Sequence, residues 1–475
     1  MWFLNQFDPH SAAYVIPIVV RLRGDLDVSA MRAAILDVVD RHEVLRTIYP
    51  TTTPDGDTGA ESIAAGSASA ETGARAVGVE PVAHAPDDWA GRIKIGHTVV
   101  PPRAAASSDQ VVDQEIQELV TTTFDVTTDL PVRVRVITAS ADHHVLVIAL
   151  HHIAADGESL APLVDDLLHA YRSRVEGRAP VRPPLPVHYA DVALWQERAL
   201  GSIDDPGSEL GRQSRWWRDH LAGLPEVLEL PTDRPRPPVA SLRGAAVDLD
   251  LPEGLAPRIE SFARAHGVTV FMVLHASVAV VLSRLSGTSD IAVGSPVAGR
   301  GRAELDDLIG MFVNTLVLRT EVDASATFEE LVRLVRDTDL DAFAAADVPF
   351  EYLVDALAPA RSEAFAPLTQ VLLTLEQTSV GELSAPGLTI TPVEAGAPAA
   401  RFDLMIGMSA DRDDAGALAG LAGRIVYATD LFDEPTVRRI GARIVDVLDA
   451  GLADPDVIVG DIDLVDATER ARSEE

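Results

Sequence analysis

Two adjacent histidines, His151 and His152, stand in the stretch Ala149–Leu160, ALHHIAADGESL, with Asp156 and Gly157 close behind. Imidazole ionises nearest neutrality of all side chains, so a presented histidine can accept and return a proton at low cost. Two histidines and a carboxylate also supply three possible metal ligands. Their spacing, however, is not that of HExxH, and no neighbouring His, Cys or carboxylate cluster completes a set. A Ser–His–Asp hydrolase needs a nucleophile motif such as GxSxG, and the chain has none. Two readings then stand open: a proton-handling site, or satisfied polar residues at the end of a strand. Adjacent strand residues point to opposite faces, so if the strand continues through both histidines only one of them can enter a given cleft. Asp156 either orients an imidazole or pairs with an arginine to hold the loop. Gly157 removes a side chain where the backbone turns, which permits close approach of a ligand or another strand.

These residues need elements to position them. His144–Leu150 (HVLVIAL) reads as a strand ending in the histidines, Pro131–Ile137 as an alternating neighbour, and Glu158–Val175 as a following helix with Leu160, Leu163, Val164, Leu167 and Leu168 on its buried side. Upstream, Tyr14–Leu22 reads as a strand and Ser29 as the cap of a helix running to about His42. Residues 51–108 are rich in Ala, Gly, Ser, Thr and Pro and read as a loop insertion with a short strand near Gly91–Val100. The prolines at 180, 183, 184 and 186 mark a linker and a change of lobe. Beyond it, Val270–Leu285 is apolar nearly all round and reads as a buried helix. Ile291–Gly294, Phe312–Arg319, Leu368–Leu375, Leu404–Met408 and Gly423–Tyr427 read as strands, and Glu434–Asp449 as the last helix. Helices and strands mix in both halves, so the class is α/β or α+β.

Composition narrows the partners. The chain has 475 residues, a formal charge of −34 and no cysteine. Such acidity argues against nucleic acid or an anionic membrane as main partner. The absence of cysteine removes disulfides and thiolate chemistry and fits a reducing compartment. The N-terminus lacks the basic segment of a secretory signal, and no stretch reaches the roughly 18 uninterrupted apolar residues of a membrane span.

HHIAADG at His151–Gly157 resembles the HHxxxDG motif of the condensation domains of non-ribosomal peptide synthetases. Other stretches resemble that family's motifs in its order: Trp2–Leu4, RHEVLRT at Arg41–Thr47, HYADVALWQ at His188–Gln196 with Val192 for the usual Phe, IGMFVNTLVLRT at Ile309–Thr320, and DVPFE at Asp347–Glu351. The seventh is degenerate, leaving Arg361–Ser362 and Pro367–Leu368. The resemblance implies two chloramphenicol acetyltransferase-like lobes set in a V around a central tunnel. They would be residues 1–178, with the 51–108 insertion, and 179–460, followed by a linker at 461–475 toward an adenylation domain. Ser295–Phe312 resembles the family's floor loop and Ala422–Phe432 its latch.

The implied activity is amide-bond formation between an upstream carrier-bound acyl or peptidyl donor, of the L-configured type, and a downstream carrier-bound aminoacyl acceptor. Both substrates ride on phosphopantetheine arms, and the domain itself binds no cofactor and no metal. The implied partners are upstream and downstream peptidyl carrier domains and an adjacent adenylation domain, in the cytoplasm, without nucleic acid or membrane. His152 falls on the catalytic position, and Gly157 supplies a backbone N–H near the reacting carbonyl. His151 and Asp156 are expected to be structural, Asp156 pairing with Arg300 first or Arg46 second. Asn314 and Ser295 are candidates for the substrate tunnel, with a strand-end role for Asn314 equally open. An epimerization domain, a free-standing acyltransferase using coenzyme A thioesters and a catalytically silent docking module are the alternatives. Silent relatives usually lose the histidine motif, which is intact here.

Overall fold

The computed structural model describes residues 2–7, 12, 14–52, 78–79, 81–101, 108–357, 362–377, 383–393, 398–413 and 416–464. Most of the 51–108 insertion, Arg361 of the seventh motif and residues 465–475 of the expected linker lie outside the described residues. Two compact units are formed. Unit 1 comprises Met1–Trp195, Arg300–Phe312 and Val380–Gly396, and unit 2 comprises Gln196–Gly299, Val313–Ser379 and Ala397–Glu475. Unit 1 therefore runs further than the 1–178 span read from the sequence and takes in two later segments.

Unit 1 is built on a six-stranded sheet in the order Leu383–Ala385, Leu388–Pro392, Val15–Gly24, His143–His151, Val132–Ser140, Lys94–Val99. All pairs are antiparallel except the last. The histidine-bearing strand is paired along both edges, and every residue from His144 to His151 is buried. That explains a near-continuous apolar run where a half-exposed strand would alternate. Lys94–Val99 is the strand expected near Gly91–Val100. The helices Val28–Arg41, Ser108–Thr121 and Leu160–Val175 contribute Met31, Ile35, Ile116, Leu163 and Leu167 to the same core as the sheet. The first of these helices is capped by Asp27, whose carboxylate accepts from Ala30 N–H at 2.9 Å, and not by Ser29.

Unit 2 has its own six-stranded sheet, ordered Asn314–Glu321, Asp290–Val297, Val371–Gln377, Leu404–Arg412, Leu418–Ala428, Gly244–Asp248. The central helix Val270–Ser286 starts at the Thr269 cap and stops at Gly287, which has φ 73°. It is buried over most of its circumference, as its uniform apolar character requires. Among the described residues no single helix is long and apolar enough to cross a membrane.

Three sequence expectations change. Phe312 and Val313 precede the strand Asn314–Glu321 and are not part of it. Ala422–Phe432, expected as the latch, runs from the strand Leu418–Ala428, which pairs on both sides within the sheet of unit 2. The segment that instead crosses from the C-terminal half into the sheet of unit 1 is Val380–Gly396, through the pairing Val20↔Pro392 to Gly24↔Leu388. The approach there is close: a Cβ on Gly24, whose φ is +126°, would lie 1.9 Å from the Gly387 carbonyl oxygen. Finally, Ile462 and Leu464 are buried in the core of unit 2, so the first residues of the expected linker belong to that packing.

The helices Val28–Arg41 and Leu160–Val175 are joined by charge as well as by packing. Asp166 accepts from buried His42 Nε2 at 2.6 Å and from Arg41 Nε at 3.0 Å. Arg41 also donates to the Pro183 carbonyl at 2.7 Å, tying the Pro-rich segment to unit 1. Burial holds His42 below its ordinary 6.5 despite the opposing hydrogen bond and charge of Asp166. Burial pushes Asp166 up, but the hydrogen bond and charge of His42, with Arg41 and Arg182, outweigh it and leave Asp166 below its ordinary 3.8. Both groups take up protons more readily when unfolded, so stability falls with pH: from about 6.5 downward for His42, and again below about 3.8 for Asp166. The urea midpoint is expected to drop between about pH 7 and pH 5, and His42→Gln to flatten that slope. An unchanged slope in the variant would show that other groups set it.

Candidate functional site

The strand His143–His151 delivers the histidines in alternation, as its geometry demands. His151 N–H donates to the Pro131 carbonyl at 2.9 Å on one side, and His152 N–H to the Tyr14 carbonyl at 2.8 Å on the other. The His151 side chain turns inward, 2% exposed, with its ring edge-on to Phe124 at 5.8 Å. Its Nδ1 accepts the Ile153 N–H at 3.1 Å, which places any single ring proton on Nε2. His151 is thus part of the scaffold, whereas His152, in the turn just past the strand, is half-buried. The chain turns tightly, with Ala154 N–H on the His151 carbonyl at 3.0 Å. Ala154 and Ala155 are both fully buried, a place for small residues only.

Asp156 is 1% exposed and accepts five hydrogen bonds. Arg300 approaches side-on, Nη1 to Oδ2 at 3.0 Å and Nη2 to Oδ1 at 3.1 Å. The Ser159 N–H and hydroxyl reach Oδ1 at 3.0 and 2.7 Å, and the Phe312 N–H reaches Oδ2 at 2.9 Å. Arg300 and Phe312 are the two ends of the strap Arg300–Phe312, so one carboxylate holds both ends of that segment in unit 1. The Arg300 guanidinium lies over the Phe312 ring, 4.5 Å from its centroid, and also donates to the Leu308 carbonyl at 3.2 Å. Tyr189 completes the set: its ring meets Phe312 edge-on at 5.1 Å and its hydroxyl donates to the Met311 carbonyl at 2.8 Å. Burial and the nearby Asp156 push the Tyr189 phenol up to about 12, so it remains a donor.

The other expected residues are placed as follows. Gly157 is exposed; a Cβ there would meet no heavy atom within 4 Å. The fold itself does not demand glycine at this position. Arg46 donates to the His84 carbonyl, and the Asp156 carboxylate is taken by Arg300. Ser295 is buried on the strand Asp290–Val297 in unit 2. Asn314, also in unit 2, spends its whole amide on backbone. It donates to the Ala346 and Val348 carbonyls at 2.8 and 2.7 Å and accepts from Thr315 and Phe350 N–H at 2.9 and 3.0 Å. It serves the strand end and starts the helix Phe350–Leu357, and no hydrogen-bonding capacity is left for a substrate. Trp195 is 48% exposed, with Arg302 4.8 Å from its ring centroid, and is therefore not a core residue. Among the described residues no group of three His, Asp or Glu side chains is disposed to hold a metal ion.

Sequence reasoning missed Ser159 and Gly310. Ser159 lies three residues after Asp156, the spacing of a local side-chain-to-backbone turn, and that signal was available. For Gly310, across a long sequence separation, no local signal existed.

Removal of the Asp156 carboxylate leaves the Arg300 guanidinium buried without its counter-charge. Asp156→Ala is expected to lower unfolding free energy by roughly 3–5 kcal/mol in urea titrations. Asp156→Leu combined with Arg300→Met is expected to lose clearly less, because neither charge is then stranded. Equal losses would show that the ion pair is not what the site depends on.

Comparison with known proteins gives a consistent answer. The family model described as "Condensation domain" matches residues 1–57 and 96–472, leaving out only the middle of the 51–108 insertion and the last residues. The chain is 41% identical over 475 residues to the isonitrile lipopeptide synthase of Mycobacterium tuberculosis, covering 100% of this chain and 18% of the relative. It is 42% identical over 471 residues to a probable non-canonical nonribosomal peptide synthetase, CymA, of Salinispora arenicola, covering 99% and 6%. In both cases it spans less than a fifth of the relative's length. Among solved structures, the X-domain in its complex with OxyB from teicoplanin biosynthesis superposes with a TM-score of 0.81 at 30% identity, covering 98% of this chain and 94% of that one.

Proposed function

The chain belongs to the condensation-domain family, and from that premise we propose that it forms an amide bond between two carrier-bound substrates of a non-ribosomal peptide synthetase. The donor is an acyl or peptidyl thioester on an upstream carrier, of the L-configured type, and the acceptor an aminoacyl group on a downstream carrier. Both arrive on phosphopantetheine arms; the domain contributes no cofactor and works in the cytoplasm beside an adenylation domain. The observation that carries this reading is the division of labour within HHIAADG. His151 and Asp156 are consumed by the scaffold, while His152, in the turn just past the strand's end, is only half-buried.

In the reaction the acceptor nitrogen attacks the thioester carbonyl, the C–N bond forms and the C–S bond breaks. The amine's surplus proton leaves as the pantetheine sulfur departs and ends as a thiol. An α-amine is partly neutral near pH 7–8, so the attacking group needs placement at least as much as a strong base. His152 receives the hydrogen of the attacking amine and holds the nitrogen on line. The backbone at Gly157, open on its Cα face, lets the donor carbonyl approach and offers an N–H to the oxygen that becomes negative.

A second reading is a silent docking module, favoured by the likeness to the X-domain that forms a complex with OxyB. The intact histidine motif weighs against it. A single-turnover assay with two loaded carriers separates the readings. New dipeptide on the acceptor carrier supports amide formation; racemised donor without dipeptide points to epimerization, and no chemistry at all to docking. In that assay His152→Ala is expected to slow dipeptide formation by about 10²–10⁴-fold with the melting curve unchanged. A wild-type rate would remove His152 from the reaction. Gly157→Ala is expected to keep stability within about 0.5 kcal/mol, since its methyl meets open space, yet to slow the reaction. A wild-type rate in that variant would remove close approach at Gly157 from the mechanism.

A further inference from the structure

Ser159 makes more contacts than the support of Asp156 requires. Its hydroxyl oxygen lies 2.7 Å from Asp156 Oδ1 and 2.9 Å from the Gly310 carbonyl oxygen. Gly310 N–H at 3.1 Å, Arg300 Nη2 at 3.1 Å and Asp156 N–H at 3.2 Å compete for its two lone pairs. A hydroxyl has one proton and two lone pairs, so that proton is divided between the carboxylate and the Gly310 carbonyl. Gly310 is thereby gripped at both its N–H and its C=O by one side-chain atom. Its Cα is covered by Tyr189: a Cβ on Gly310 would lie 2.3 Å from Tyr189 Cδ2 and 2.9 Å from Phe312 Cε2. The Tyr189 hydroxyl holds the next carbonyl, that of Met311, at 2.8 Å.

The two grips on the strap differ in stiffness. The Arg300 guanidinium sits on a long stem with several rotatable bonds and can follow a displaced carboxylate by changing rotamer. The Ser159 oxygen is one bond from Cβ, and its partner is a rigid peptide; a shift of a few tenths of an ångström breaks the contact. Ser159 is also fully buried, so water does not replace a lost bond at low cost.

We propose that Ser159, acting on the Gly310 peptide, is a positioning residue: it sets the height of the strap Arg300–Phe312 on the loop His152–Ser159 and so fixes where His152 and Gly157 stand. The inference rests on the amide-forming reading above and adds to it a residue that touches no substrate. It accounts for the contacts that the Ser159 hydroxyl makes beyond Asp156, those to the Gly310 peptide.

The test compares wild type and Ser159→Ala in the two-carrier assay, with hydrogen exchange on the same proteins. The expected result is a fall in kcat of about 10- to 100-fold, the cost of a displacement near 1 Å, with KM for the loaded acceptor carrier unchanged. Exchange should quicken at the Gly310 amide and through residues 152–157, and stay at wild-type levels in the core helices. A wild-type kcat overturns the proposal. So does a loss that follows the folded fraction, or that falls on kcat and KM alike, because a merely structural serine would do that. Should Ser159→Ala unfold, Ser159→Cys carries the same expectation, since it keeps the volume but offers only a weak donor and acceptor. If wild type itself makes no dipeptide, the amide-forming reading has failed, and the exchange comparison still decides whether Ser159 holds Gly310.

Discussion

One buried carboxylate organises the candidate site. Asp156 has almost no contact with water, so its charge must be met by donors within the fold. Five are supplied, from a guanidinium, a hydroxyl and two backbone amides. Two of these partners, Arg300 and Phe312, lie about 150 residues along the chain at either end of one strap. Satisfying the charge therefore also sets where the strap lies. The ion pair is not the source of stability that its geometry suggests, since desolvation offsets much of the attraction. Its consequence is specificity: any arrangement that misplaces the strap leaves a buried charge unmatched.

That constraint makes the two histidines unequal. The tight turn after the strand, with fully buried alanines at 154 and 155, leaves no room for slack between His152 and Asp156. His151 is drawn into the core, where its ring packs on Phe124 and its Nδ1 receives a backbone N–H. His152, one residue on, lies in the turn just past the strand and stays half-buried.

Unit 2 meets the same problem of buried polarity by different means. His275 and Asp339 are both fully buried and pair at 3.0 Å, joining the helices Val270–Ser286 and Phe328–Ala344. Asn314 satisfies four backbone groups at once, and Gln370 holds the Glu226 and Ala366 carbonyls and the Leu228 N–H. Each of these side chains looks like a functional candidate by residue type alone. Asn314 and Gln370 are held by their backbone partners and act as internal struts, as does the carboxylate of Asp156.

The sequence by itself determined a good deal. Local patterns carry local structure, so the histidine-bearing strand and the buried helix after Thr269 followed from periodicity and alternation. The motif order identified the family and pointed to Arg300 as the partner of Asp156. What only the tertiary structure decided were relations between residues distant in the chain. The hairpin Leu383–Pro392, which joins the sheet of unit 1, is short and marked only by Pro386–Gly387, so nothing local distinguishes it from a loop. The resemblance places the latch on Ala422–Phe432, whereas the strand Leu418–Ala428 pairs with the preceding Leu404–Arg412 and with the distant Gly244–Asp248. Asn314 looked available because the backbone groups that saturate it come from a turn more than thirty residues on. Ser159 and Gly310 meet across 151 positions. Hydrogen bonds of that span are set by packing and not by propensity, and no reading of neighbouring residues contains them.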